Sequence, residues 1–232
     1  MTTTITTTTE AVYRLFAWLS PSYPTGAFSY SHGIEYAVEA RLVNDRATLV
    51  DWIAHILGHG AGWADAVLFA RAYDAAAAGD DAALDAIADY AAALRATSET
   101  ALESAQQGAA FLAVTRSAWP DPLLERFVAR RNGAPVTLAV ALALAAVERV
   151  ERRPALVGLL HSFAAALVSA GVRLVPLGQT DGQRAIADLT ATVLATADAA
   201  LACPLEALGM AAPMVDWTCM KHETQYTRLF RS

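Results

Sequence analysis

Arg46-Ala-Thr-Leu-Val-Asp-Trp-Ile-Ala-His-Ile-Leu-Gly-His-Gly60 decides the fold class. Leu49, Ile53, Ile56 and Leu57 recur at spacings that place them on one face of a helix. The same pattern extends on both sides. Gly79-Asp80 ends a helix over Asp65–Ala78, and Asp81–Arg95 begins another. Thr97–Ser117 is a further long helix. Asp121 followed by Pro122 reads as an N-cap and a first helical position. Pro154 opens a helix whose Leu156, Leu159, Leu160, Phe163 and Leu167 share a face. The last long helix is expected over Asp181–Ala202, with Ile186, Leu189, Val193 and Leu201 inward. Few segments alternate with period 2, so strands have little support, and no fixed-period repeat marks a solenoid. The expected architecture is all-α: a single helical bundle of roughly eight to ten helices with short loops.

Composition agrees. The chain has 232 residues, 55% of them hydrophobic and only 17% charged, enough to bury a substantial core. Much of the apolar share is alanine, which favours helices and close helix packing. The net charge of −6 argues against a phosphate-backbone binder, so nucleic acid is not an expected partner. Residues 1–10 (MTTTITTTTE) form a threonine-rich leader expected to be disordered, without the basic and apolar regions of a secretory signal. Residues 11–220 are expected to form the helical domain and 221–232 a partner-binding tail. Val136–Val147 and Leu156–Val172 are too short or too interrupted to span a bilayer comfortably and read as core helices. Cys203 and Cys219 make no disulfide framework, and a reducing cytoplasm fits them.

No phosphate loop, dinucleotide fingerprint, nucleophile elbow or zinc-protease motif is present. Two places could hold a metal. Asp51, His55 and His59 sit four apart, so a helix stacks them on one face, opposite the Leu49/Ile53/Ile56 stripe, where they could share a cation or simply be solvated. Cys219 and His222 have a CxxH spacing but would need further ligands from elsewhere. His161 borders an apolar face beside Val157 and Val168 and reads as a satisfied core histidine.

Three segments carry more than a scaffold needs. Ser20–Gly33 sets Tyr23, Phe28 and Tyr30 among the turn-forming residues Pro24, Gly26, Ser29 and Gly33. It either packs over a bundle end or presents a surface. Arg173–Arg184 (RLVPLGQTDGQR) reads as a helix–helix elbow in which Pro176 and Gly178 stop one helix and Asp181 caps the next. Its Gln179, Thr180, Asp181 and Gln183 suggest a binding or subunit contact. In the tail, a helix would align His222, Tyr226, Leu229 and Phe230 in one stripe. Arginines and aromatics of this kind dominate interface hot spots. A segment so short orders only by docking, on its own bundle or in a partner's groove.

Ser20–Glu35 (SPSYPTGAFSYSHGIE), Ser169–Gln183 (SAGVRLVPLGQTDGQ) and His222–Ser232 (HETQYTRLFRS) resemble the signature stretches of the UreF family of urease accessory proteins. Asp65, Glu103, Gln107 and Gly108 also stand where that family's pattern has them. Gly133-Ala134 replaces a common His-Tyr, and Thr100-Ala101 a common Leu-Arg. The resemblance implies an all-α homodimer that performs no covalent chemistry and helps load nickel into urease apoprotein. It would bridge the UreD/UreH accessory protein and the GTPase UreG, modulating the GTPase. It implies no tightly bound cofactor, nickel being handled by the complex. Carried over by motif, Arg173, Gln179, Thr180, Asp181 and Gln183 lie near the dimer and GTPase-facing surface. The tail (His222, Glu223, Gln225, Tyr226, Arg228, Leu229 and Phe230) contacts UreD/UreH. The competing expectation is a small metal-binding enzyme on the Asp51/His55/His59 face.

Overall fold

Alanine-rich helices can approach more closely than leucine-rich ones, and the centre of this protein is built that way. The computed structural model of the chain describes residues 8–232. Among them are twelve α-helices, ten of them ten residues or longer, and no strand. They are α1 (Thr9–Trp18), α2 (Ile34–Glu39), α3 (Arg46–His59), α4 (Ala61–Ala78), α5 (Asp81–Ala93), α6 (Ser98–Ala118), α7 (Pro122–Arg131), α8 (Leu138–Ala146), α9 (Arg152–Leu174), α10 (Gln179–Asp188), α11 (Thr190–Ala202) and α12 (Pro213–His222). Short 3₁₀ turns lie at Ala27–Ser29 and Leu205–Ala207.

Eight of the nine residues of α8 are buried, which makes it the axis of the bundle. α4 packs along it and also touches α3, α5, α9 and α11. α6 packs on α8 and crosses the segment leading into it so closely that a Cβ on Gly108 would stand 1.9 Å from the carbonyl oxygen of Val136. Only glycine permits that crossing. One hydrophobic core runs from Ala11 to Cys219, and full burial of each large side chain contributes about 1.5–3 kcal/mol. α9 is apolar and long enough to cross a membrane by length and composition. Its Leu156, Leu159, Leu160 and Leu167 are buried in this core instead.

α3 forms as its sequence predicts, with Leu49, Ile53, Ile56 and Leu57 buried. Asp45 and Thr48 close a reciprocal capping box at its start. Asp121 caps α7 through the amides of Leu123 and Leu124. Other boundaries differ. Residues 1–7 of the leader lie outside the described residues, but Thr9 and Glu10 are helical, with the Thr8 hydroxyl capping α1. α4 begins at Ala61 rather than Asp65. α9 begins at Arg152, two residues before Pro154, whose fixed φ suits a first helical turn.

The helix expected over Asp181–Ala202 starts at Gln179 and is two helices. Leu189, buried with ψ of −8°, separates them and departs from the helical value of about −42°. This break lets α10 pack on α3 and α9 while α11 packs on α4, α9 and α3. Leu189 and Val193 are buried as expected, whereas Ile186 and Leu201 are only partly so. Gly178, not Asp181, occupies the N-cap of α10, and no side chain caps it. Asp181 lies inside the first turn and pairs with Arg184.

Candidate functional site

Gly33 begins the site. It adopts a left-handed φ of 77° at the N-cap of α2, and a Cβ there would meet Thr218 Oγ1 at 2.7 Å and Cys219 Sγ at 2.8 Å. α2 and α12 therefore touch at their backbones, and Glu35 in the first turn of α2 is buried beside the end of α12. The Glu35 carboxylate accepts the main-chain N–H of Leu229 at 2.7 Å and of Phe230 at 2.9 Å. Its Oε2 lies 3.0 Å from Nε2 of His222. Nδ1 of His222 lies 2.8 Å from Glu99 of α6, and Glu99 accepts from Arg228 at 3.0 Å. The imidazole, itself fully buried, has a carboxylate on each nitrogen.

This arrangement settles the tail's conformation. Helix α12 ends at His222, and residues 223–232 follow as turns and bends. The expected stripe does not form: His222 and Phe230 are buried, whereas Tyr226 is fully exposed and Leu229 is 65% exposed. The reason is Glu35, which takes the two amides that a helix would have used internally. The tail docks on its own bundle. Arg231 N–H donates to Ser29 O at 2.8 Å, and the Ser31 N–H donates to a main-chain oxygen of Ser232 at 2.7 Å. Ser232 Oγ donates to Glu103 at 2.9 Å; Glu103 also accepts from Gln107 at 3.2 Å and faces His32 at 3.3 Å. Glu223 accepts from Ser98, and Gln225 donates to Glu39.

Arg173 joins the third segment to the other two. Its guanidinium carbon lies 3.7 Å from the centre of the Phe28 ring and 4.3 Å from that of Phe230. Its nitrogens donate to the carbonyls of Phe28 and Ser169, at 2.9 and 3.2 Å. Burial pulls its pKa down from the ordinary arginine value. A cation between two rings contributes about 0.5–2 kcal/mol per face, more as water is excluded. The structure thus gathers Phe28, Arg173 and Phe230, one from each segment singled out in the sequence.

The other expected residues scatter. Gln179, Thr180 and Gln183 are exposed on the first turns of α10, apart from the Arg173 sandwich. In the first segment Pro24 and Gly26 are exposed, Phe28 is exposed beside Arg173, Ser29 is half-buried, and Tyr30 is buried and bonded to Gln106. Cys219 and His222 do not form a ligand pair. The thiol is fully buried with its pKa pushed well up, by burial first and nearby carboxylates second, and both imidazole nitrogens are taken. His161 is exposed rather than in the core. Asp51, His55 and His59 stand exposed on the outer face of α3, as their position opposite the apolar stripe required. Among the described residues no group of three or more His, Cys, Asp or Glu side chains is placed to hold a metal. Glu99, which binds His222 and Arg228, carries no mark in the sequence. One acidic residue at the start of a helix gives no signal of a partner 123 residues away.

The UreF family model matches residues 43–190. The urease accessory protein UreF of Granulibacter bethesdensis is 50% identical over 232 residues, covering 99% of this chain and 97% of its own. That of Rhodopseudomonas palustris strain HaA2 is 50% identical over 226 residues, covering 96% and 94%. That of Methylobacterium sp. strain 4-46 is 48% identical, covering 94% and 87%. The chain belongs to the UreF family.

Membership places the family-pattern residues in context. Asp65 pairs with Arg95 at 2.6 Å, Glu103 and Gln107 belong to the network under the tail, and Gly108 lets α6 cross the segment leading into α8. The two departures have local roles in this UreF-family chain. Thr100 closes a capping box with Thr97 at the start of α6, and Gly133 takes a left-handed φ of 85° after α7.

Proposed function

We propose that this chain acts in the maturation of urease and works by docking to other proteins, without covalent chemistry of its own. The observation that carries this reading is 50% identity, over nearly the full length, to proteins named urease accessory protein UreF. Its partners in this reading are UreD/UreH, the GTPase UreG and urease apoprotein, in the cytoplasm, with the chain as a homodimer and nickel as the cargo of the assembly. The tail offers UreD/UreH the exposed Tyr226 and Leu229, held on a fixed backbone by Glu35. A docking element ordered beforehand loses less entropy on binding. The exposed Gln179, Thr180 and Gln183, with Asp181 beside them, face UreG or the second copy. Arg173 acts as a positioning residue, because its guanidinium is already engaged by Phe28 and Phe230. The complex favours one nucleotide state of UreG by binding it more tightly, which couples hydrolysis to metal release.

The test is co-purification with UreD/UreH and UreG from the same source. Tyr226→Ala/Leu229→Ala should lose UreD/UreH, and Gln179→Ala/Gln183→Ala should weaken UreG or the homodimer, with the helical circular-dichroism signal unchanged in both. Deleting the whole tail is a poorer probe, because it also removes the buried Phe230 and Ser232. Full complex formation and full urease activation by both double variants would refute these surfaces.

A further inference from the structure

Five histidines divide sharply by their surroundings. His32 and His222 face buried carboxylates. His161 is exposed. His55 and His59, one turn apart on α3, are exposed with ring centres 5.0 Å apart and planes at 45°. Among the described residues neither ring has a protein hydrogen bond or ion pair, and neither does Asp51 one turn before them.

We propose that His55 and His59 form a bidentate, solvent-open site for a divalent late first-row transition-metal ion of the nickel, copper and zinc class. Geometry carries the assignment. A metal ion about 2.0–2.1 Å from a ring nitrogen lies about 3.2 Å from the ring centre, so two such rings at 90–110° have centres about 4.5–5.2 Å apart. The observed separation falls inside that window without any movement of the helix. Imidazole nitrogen suits these ions rather than magnesium or calcium, which take oxygen.

The surroundings leave room for the rest of the coordination shell. The two rings border an open groove of about 540 Å³ between α3 and α11. Its lining beside them is small, Ala54, Gly58, Ala195 and Ala199, with Thr192 and Thr196 of α11 completing it. Asp51 adds a negative charge on the same face. Two protein ligands leave the remaining positions to water, so the ion exchanges readily and the fold does not depend on it. This sets the site apart from a structural zinc centre, which is closed. The site is independent of the docking surfaces above, since neither the tail nor the exposed turn of α10 contributes to it.

The experiment is titration of the untagged full chain with NiCl₂ and with CuCl₂, read by calorimetry and by fluorescence. Trp63 lines the groove and reports a paramagnetic ion by quenching. The expected result is one ion per chain in the micromolar range, with affinity reduced at least tenfold in His55→Ala/His59→Ala and unchanged in His161→Ala. His55→Gln/His59→Gln keeps polarity on the same exposed face and should lose the ion equally. Wild-type affinity in the double variants, or no binding by the wild type up to millimolar Ni²⁺, would overturn the assignment. Because these arms read metal and not partner capture, their outcome does not depend on the co-purification result.

Discussion

Replacing Glu35 with alanine removes the acceptor of two tail amides and the partner of one imidazole nitrogen at a stroke. Hydrogen bonds to a charged group contribute about 1.5–3 kcal/mol each. The amides of Leu229 and Phe230 regain water once the tail swings away, so the measurable loss is tail docking rather than the whole penalty of an unpaired buried donor. Two bonds near the lower end of that range amount to about 3–4 kcal/mol. At about 1.4 kcal/mol per decade, the protection of those two amides against hydrogen exchange should fall by about 100- to 700-fold. Amides of α4 and α8, which Glu35 does not touch, should keep most of theirs. Glu35→Gln retains one acceptor oxygen and should lose about half as many decades. Unchanged protection of Leu229 and Phe230 in Glu35→Ala would refute the reasoning. So would an equal loss throughout α4 and α8, because Glu35 would then support the whole fold rather than the tail.

Gly108→Ala forces its Cβ against the Val136 carbonyl, and overpacking against backbone should cost about 3 kcal/mol, read as a lower urea midpoint. A wild-type midpoint would mean that α8 yields freely. Arg173→Ala should lose about 1–2 kcal/mol of cation–ring attraction and raise amide exchange at Phe230, with Arg173→Lys intermediate because it cannot lie flat between two rings. Equal exchange in all three proteins would dismiss the sandwich as a tie between segments. Asp216 has its carboxyl pKa raised by burial, with His32 opposing the shift. Ionisation therefore costs folding energy as pH rises above the unfolded aspartate value of about 3.9. Asp216→Asn should be more stable than the wild type at pH 7 and no more stable at pH 3, by urea denaturation at both. A stability difference independent of pH would show that the carboxyl's charge is not involved.

What the sequence made legible follows from where each decision is taken. α3 is readable because its cap, its stripe and its terminal glycine all lie within its own residues. The break at Leu189 has no proline or glycine to mark it. It arises because α10 and α11 pack on different neighbours, which is tertiary information. The three unusual segments were visible as clusters of turn formers, amides, arginines and aromatics, and the structure brings a residue from each into one stack. Their mode of contact was not visible. The tail has residues that could form a helix, and what prevents it is a carboxylate on α2. The CxxH spacing of Cys219 and His222 misleads for a related reason: spacing records who could share an ion, while burial and the distant Glu35 and Glu99 decide that they do not.

The bonds that seat the tail join residues from nearly opposite ends of the sequence. Glu35 and Phe230 are 195 positions from one another. During synthesis at about 5–20 residues per second, about 10–40 s separate the appearance of the two. The helical core between them can consolidate in that interval, but the end that carries Phe28, Arg173 and Phe230 cannot close. A nascent chain therefore lacks the stacked Phe28, Arg173 and Phe230, and this end of the fold is completed in a single late step. Under the proposed docking role, timing rather than affinity would keep half-made chains out of the assembly.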